Sequence, residues 1–311
     1  MNTVIYDEDL PLMRQIVDAA KEAKISAVIA SDAAVMMYCK QKGVEVHLST
    51  QLNISNVEAL KFYSQFADVV VLARELNLRQ VKRIYDEIQQ QRITGPKGDL
   101  IRIEMFCHGA LCMAVSGKCY LSLNNAGKSA NRGACMQTCR RAYIVKDKER
   151  DVELEIDNQY IMSPKDLKTI GFMDQMIKAG VRVFKIEGRA RGPEYVRTVV
   201  EAYDQAIRQA LTGEWNEEIS KAWDAQLATV YNRGFLGAVI ISVRLWANGA
   251  TVTVHRRLRE RFTPVRGIKY FFQSSGCRIF WCRRLNLMPE ISFSLPVRRQ
   301  VQSMPRSIIR T

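Results

Sequence analysis

The chain has 311 residues, 47% hydrophobic and 25% charged, which is a globular composition with room for one large domain or two ordinary ones. No run approaches the roughly 18 uninterrupted apolar residues of a membrane helix, and the acidic opening MNTVIYDEDLPLM has no apolar core of a secretory signal. The formal charge of +14 suggests nucleic acid or an anionic surface, yet residues 236–311 alone hold thirteen Arg and one Lys against two Glu, leaving 1–235 nearly neutral.

A cytoplasmic protein with reduced thiols follows, with no membrane partner. From the start to residue 235, short apolar runs alternate with amphipathic ones. A helix pattern over 7–24 leads to a strand at 25–31, and a second strand follows at 44–49. Then come a helix over 55–66, a strand at 67–73, a helix over 76–91 and a strand at 101–109. After the next segment the pattern resumes with a strand at 159–163, a helix over 166–180, a strand at 181–188 and a helix over 193–211. Near-continuous apolar strands separated by helices predict a parallel α/β sheet. Glycines placed between helix and strand, as in QKGVEVHL and KAGVRVFK, suit helix C-caps. No GxGxxG follows the first strand, so a (β/α) TIM-barrel-like domain over 1–235 is the better reading. Polar residues gather toward the C-terminal ends of the strands: Ser31 and Asp32; His47, Ser49, Thr50 and Gln51; Arg74 and Glu75; Glu104 and His108; Lys185, Glu187 and Arg189. In a barrel those ends share the face where active sites sit.

Residues 104–146 form a cysteine-rich insertion. Cys112, Cys119, Cys135 and Cys139 are separated by six, fifteen and three residues, and they are half of the chain's eight cysteines. Core packing scatters cysteines with the hydrophobic pattern, so such clustering asks for disulfides, a metal or an iron–sulfur cluster. Reduced thiols argue against disulfides. Structural zinc favours two close pairs, and only Cys135 and Cys139 are close. Four thiolates with varied spacing suit a [4Fe-4S] cluster. Between Lys118 and Lys146 there are six basic residues, Arg132, Arg140 and Arg141 among them, and no acid. Those cations offset an anionic cluster, and the same patch suits phosphate or carboxylate groups. A solvated basic loop is the plain alternative.

Cys39 and Cys107 fall on apolar patterns and are expected to be packing residues. Glu104 and His108 are four apart on a strand-like run, which places both on one face. Such a carboxylate–imidazole pair suits acid–base work near neutral pH, or a structural hydrogen bond. No HExxH, GxSxG or Ser/His/Asp spacing is present.

The run EMFCHGALCMAVSGKCYLS with NRGACMQTCR resembles the signature of the collagenase-like peptidase family, the thirty-second family of peptidases of unknown mechanism. HLSTQLNISN, VVLARELNL, SPKDL, KIEGRARGPEYV and YNRGF are similar to that family's segments, in order, over about residues 1–235. The resemblance implies one of two activities. Some members are reported as collagenases, acting on protein. Others are oxygen-independent hydroxylation proteins acting on tRNA uridine, ribosomal RNA cytidine or a quinone precursor. Those carry a [4Fe-4S] cluster on four cysteines, with prephenate implicated as hydroxyl source. By motif position Cys112, Cys119, Cys135 and Cys139 would be the ligands here. The short interval from the cysteines to KIEGR resembles the tRNA branch. Arg132, Arg140, Arg141, Lys185, Glu187 and Arg189 are then candidates for RNA or substrate contact.

Two departures from the family pattern set further expectations. The chain opens inside what resembles the family's third strand, so the barrel is expected to be incomplete at its N-terminus and the chain weakly soluble and of low activity, with a non-functional fragment as a further alternative. Residues 236–311 lose the alternation, replace Lys by Arg and contain no Asp. That composition is typical of an out-of-frame translation, and an irregular basic tail with no assigned role is expected there.

Overall fold

The computed structural model describes residues 1–141, 143–146, 153–156, 165–236, 270–274 and 277–282. Helix α1 (Leu10–Glu22) has Pro11 in its first turn and buries Met13, Val17 and Ala20 along one stripe. Strand β1 (Val28–Ala30) leads into α2 (Ala33–Lys42), where Asp32 Oδ1 caps the helix by accepting the Ala34 N–H at 2.9 Å. Gly43, at φ 67°, ends α2 in the left-handed conformation that suits glycine and turns the chain into β2 (Val46–Leu48). Then follow α3 (Val57–Ser64), β3 (Val69–Val71), α4 (Leu78–Gln90) and β4 (Arg102–Gly109). A reciprocal Asn77–Gln80 capping box starts α4, which buries Val81, Ile84 and Ile88.

The cysteine-rich segment contributes α5 (Leu121–Ala126) and β5 (Tyr143–Lys146), and β5 pairs antiparallel with β6 (Glu153–Ile156) just beyond it. The scaffold resumes with β7 (Asp166–Lys168), α6 (Met173–Lys178), β8 (Val181–Glu187), α7 (Pro193–Thr212), α8 (Glu217–Ala228) and β9 (Phe235–Leu236). Strands β10 (Tyr270–Ser274) and β11 (Cys277–Cys282) complete the described elements.

Six strands run parallel in the order β1-β2-β3-β4-β8-β11, and β10 continues antiparallel on β11. Every residue of β1, β2 and β3 is buried, as in a parallel sheet covered on both faces. This is the parallel α/β fold that the alternation predicts. Among the described residues the pairing path runs open from β1 to β10. Strand β7 crosses antiparallel at the end of β4, with His108 opposite Lys168 and Gly109 opposite Leu167, and β9 pairs parallel with β7.

The differences from expectation have local causes. The helix pattern over 166–180 begins as strand, because β7 pairs with β4 and the Thr169 N–H donates to Cys107 O at 3.2 Å. Only Met173–Lys178 remains α-helical. Helix α8 and the β5–β6 pair carry no strong apolar period and were not anticipated. The strand expected at 159–163 lies outside the described residues. The out-of-frame reading of 236–311 falls mostly outside them too; within that segment β10 and β11 form a hairpin against β8.

Candidate functional site

The sheet interior holds a chain of charges rather than a purely apolar layer. Glu104 is fully buried, and Lys185 Nζ donates to its Oε1 at 2.7 Å. His47 Nδ1 lies 3.8 Å from Glu104 Oε2, and His47 Nε2 lies 3.1 Å from Glu45 Oε1. Glu45 in turn binds Arg102 at 3.0 Å and also Lys97. Register explains the alignment. His47 lies beside Val69, and Val69 beside Arg102, while Glu104 lies beside Val71 and Val183, so all these side chains share one face. Burial works against the Glu104 charge, but Lys185 and His47 outweigh it and hold the carboxyl below its usual range. The same contest leaves Glu45 at about 2: burial raises it, and His47 and Lys97 lower it further.

Glu104 and His108 do not act as a pair. The register of β4 on β8 slips between Phe106 and His108, so Phe106 lies beside Lys185 while His108 lies beside Ile186. A bulge at Cys107 thereby turns His108 to the opposite face from Glu104. There its Nδ1 meets Tyr203 Oη at 3.2 Å, among the rings of Tyr195, Tyr203 and Phe235. Tyr203 Oη also donates to Cys107 O at 2.8 Å and accepts the Thr169 N–H at 3.0 Å. Burial, with help from Lys168 and Arg191, pushes the His108 imidazole down to about 3, so it is neutral at neutral pH. Cys39 and Cys107 are buried, as their apolar patterns predict.

The cysteine-rich segment docks on the strand ends through backbone and hydroxyl contacts. Arg74 donates to Ser116 Oγ at 2.7 Å and to Ala114 O at 3.3 Å, and Asn53 Nδ2 donates to Ser116 O at 2.9 Å. From the other side Arg189 Nη2 donates to Cys135 O at 3.1 Å, while Glu187 Oε1 accepts the Arg189 N–H at 2.8 Å. Gly109, at φ 103°, opens the segment where a Cβ would run into Glu187 O, so only glycine fits. All four clustered cysteines are free, with Cys112 exposed and the others half-buried. Cys139 is held up by burial, offset by Arg140, and feels Cys112, Cys135 and Cys119 as well. The four thiols therefore share one neighbourhood. A single tetrahedral ion with metal–sulfur bonds of about 2.3 Å needs its thiolates almost in contact. No group of three or more ligands is that tight among the described residues. The donor set suits a larger polynuclear centre that reaches thiolates from separate loops.

The basic residues divide. Arg132 is held by Asp9, donates to Val4 O at 2.9 Å and stacks 4.1 Å over the Tyr6 ring, so it ties down the N-terminal segment rather than facing a phosphate. Lys185 is buried on Glu104 and is equally out of reach of RNA. Glu187 and Arg189 position the segment. Arg140 donates to Gln137 Oε1 at 2.6 Å, and Arg141 is exposed. Sequence reasoning missed Asp166, Arg191 and Arg233 as site residues, although they fall in the runs SPKDL, KIEGRARGPEYV and YNRGF. Arg191 and Arg233 both bind Asp166, at 2.9 Å and 2.6 Å. Residues so far apart in sequence give no local signal of their meeting.

Residues 1–240 match the family model for peptidase family U32. The chain belongs to peptidase family U32. Among curated U32 relatives, it is 61% identical over 277 residues to a collagenase of Porphyromonas gingivalis, a match covering 87% of this chain and 65% of that protein. That match reaches beyond residue 235, where the composition changes. It is 34% identical over 251 residues to a tRNA hydroxylation protein of Bacillus subtilis, covering 76% of this chain and 57% of that protein. It is 36% identical over 209 residues to a 23S rRNA 5-hydroxycytidine synthase of Escherichia coli, covering 67% of this chain and 30% of that protein. The chain thus spans less than two thirds of the length of each of these three relatives. No solved structure matches it. Among the described residues no helix is long and apolar enough to cross a membrane.

Proposed function

We propose that this U32 chain is the core of an iron–sulfur RNA-hydroxylation protein, with a tRNA uridine as the favoured target. The observation behind this reading is the single neighbourhood shared by Cys112, Cys119, Cys135 and Cys139, clamped between Arg74 and Arg189. In this reading the four thiolates hold a [4Fe-4S] cluster, which supplies electron-transfer chemistry when bound. Replacing C–H by C–OH is a two-electron oxidation; by family resemblance prephenate supplies the hydroxyl oxygen, and a separate two-electron acceptor must take up the electrons. The relatives named for tRNA and rRNA hydroxylation support an RNA substrate.

Peptidase activity is the second reading, favoured by the 61% identity to a protein named collagenase. The bulge at Cys107 weighs against it, because it separates the Glu104 carboxylate from the His108 imidazole. One experiment compares the two. Anaerobically prepared protein is offered RNA with prephenate, and gelatin in a parallel reaction. One added oxygen on the RNA, detected by nucleoside mass spectrometry and lost in Cys135→Ala, supports the proposal. Gelatin cleavage that survives Cys135→Ala, with unmodified RNA, overturns it.

A further inference from the structure

Four aromatic side chains are exposed among the described residues, and three of them already have a partner. Arg132 stacks on Tyr6, Arg191 stacks on Tyr231, and Phe62 packs edge-on against Tyr63 and Phe66. Tyr120 is the fourth. It is 66% exposed, the most of any large hydrophobic side chain described, and among the described residues no ring or cation covers it.

The ring has apolar and cationic company. Val115, Leu123 and Met136 are exposed as well, so four of the eleven exposed large hydrophobic residues fall within 115–136. A grouping of that kind marks a contact surface more than scattered single residues do. Local geometry gathers it. Tyr120 caps α5 and Leu123 lies three residues on, which puts both on one side of that helix. Ser122 between them ties in two further segments: its Oγ accepts the Met136 N–H at 2.9 Å, and its carbonyl accepts the Lys128 N–H at 3.3 Å. The Lys118 N–H donates to Val115 O at 3.0 Å in the turn just before α5. Lys118, Lys128 and Arg141 are exposed and make no ion pair among the described residues, and the stretch 110–141 contains no acid. Tyr120 directly follows Cys119, and Met136 directly follows Cys135, so this surface adjoins the clustered cysteines.

We propose, resting on the RNA reading above, that this surface binds unpaired nucleotides, with one base stacked on Tyr120 and phosphates held by Lys118 and Lys128. Every base offers a face to an aromatic ring, and every linkage offers a phosphate to a cation, so a bare ring flanked by lysines suits a single strand. Bases inside a duplex are stacked on one another and cannot reach the ring. A stable protein partner would need roughly 800 Å² of matched surface on each side, centred on packed anchors. Here the apolar residues are interrupted by lysines and by the exposed Asn124 and Asn125, which suits a flexible strand better.

The test is fluorescence anisotropy of the full chain with two labelled RNAs, a hairpin with a uridine-rich loop and a plain duplex of the same stem. The hairpin should bind at least about tenfold more tightly than the duplex. Tyr120 is exposed, so its replacement should leave the fold intact. Tyr120→Ala should weaken hairpin binding about tenfold, the loss of one stacked base, at unchanged salt dependence. Tyr120→Phe keeps the ring and should bind like the parent. Lys118→Ala should instead lower the slope of log affinity against log salt by about 0.7, one single-strand phosphate. Equal binding of hairpin and duplex, a hairpin affinity unchanged in Tyr120→Ala, a Tyr120→Phe variant as weak as Tyr120→Ala, or a salt slope unchanged in Lys118→Ala would overturn this site and leave the RNA reading standing. No binding of either RNA by the parent would overturn both, and the surface would then fit an acidic protein.

Discussion

Lys185 Nζ lies 2.7 Å from Glu104 Oε1, and both side chains are sealed between β4 and β8. The pair crosses 81 residues of sequence and joins the two strands that bracket the cysteine-rich segment. It is part of the scaffold. Lys185→Met leaves the Glu104 carboxylate buried with less compensation and should cost about 3–5 kcal/mol in urea unfolding. Adding Glu104→Leu to that variant should recover much of the loss. A catalytic role for the pair would instead show as lost activity at unchanged stability in both variants.

His108 sets an acid limit on the fold. An unfolded chain takes up its proton near pH 6.5, whereas burial beside Lys168 and Arg191 delays uptake in the fold to about 3. Between those values the unfolded state holds the extra proton. The stabilisation is therefore complete above pH 6.5 and is lost as pH falls toward 3. Each pH unit in that window removes up to about 1.4 kcal/mol. Melting temperatures from pH 7 to 5 should fall less steeply in His108→Gln than in the parent. Parallel curves for the two proteins would show that His108 does not set the limit.

Arg132 and Arg141 should behave differently despite their proximity in sequence. Arg132 holds the N-terminal segment through Val4 O, Asp9 and Tyr6. Arg132→Ala should therefore speed amide exchange over residues 4–9 and, in the proposed RNA complex, leave the salt dependence of binding unchanged. Arg141 is exposed, and Arg141→Ala should reduce the slope of log affinity against log salt by about one. A reduced salt slope in Arg132→Ala, with none in Arg141→Ala, would exchange the roles of the two arginines.

The parallel sheet was legible because its strands are buried on both faces, which produces continuous apolar runs such as those of β2 and β3. The gathering of the four cysteines was legible because their clustering in sequence is local. The Glu104–His108 relation was not, since a single extra residue at Cys107 reverses which face His108 occupies. The roles of Arg132 and Lys185 were hidden for another reason: each is decided by a partner 123 or 81 residues away. The same distance concealed the meeting of Arg191 and Arg233 at Asp166.

Iron content tests the role of the four clustered cysteines most directly. Anaerobically purified protein should be brown, carry about four iron and four sulfide per chain, and lose both in Cys135→Ala. A colourless protein carrying one zinc per chain, or iron content unchanged by Cys135→Ala, would contradict the cluster assignment.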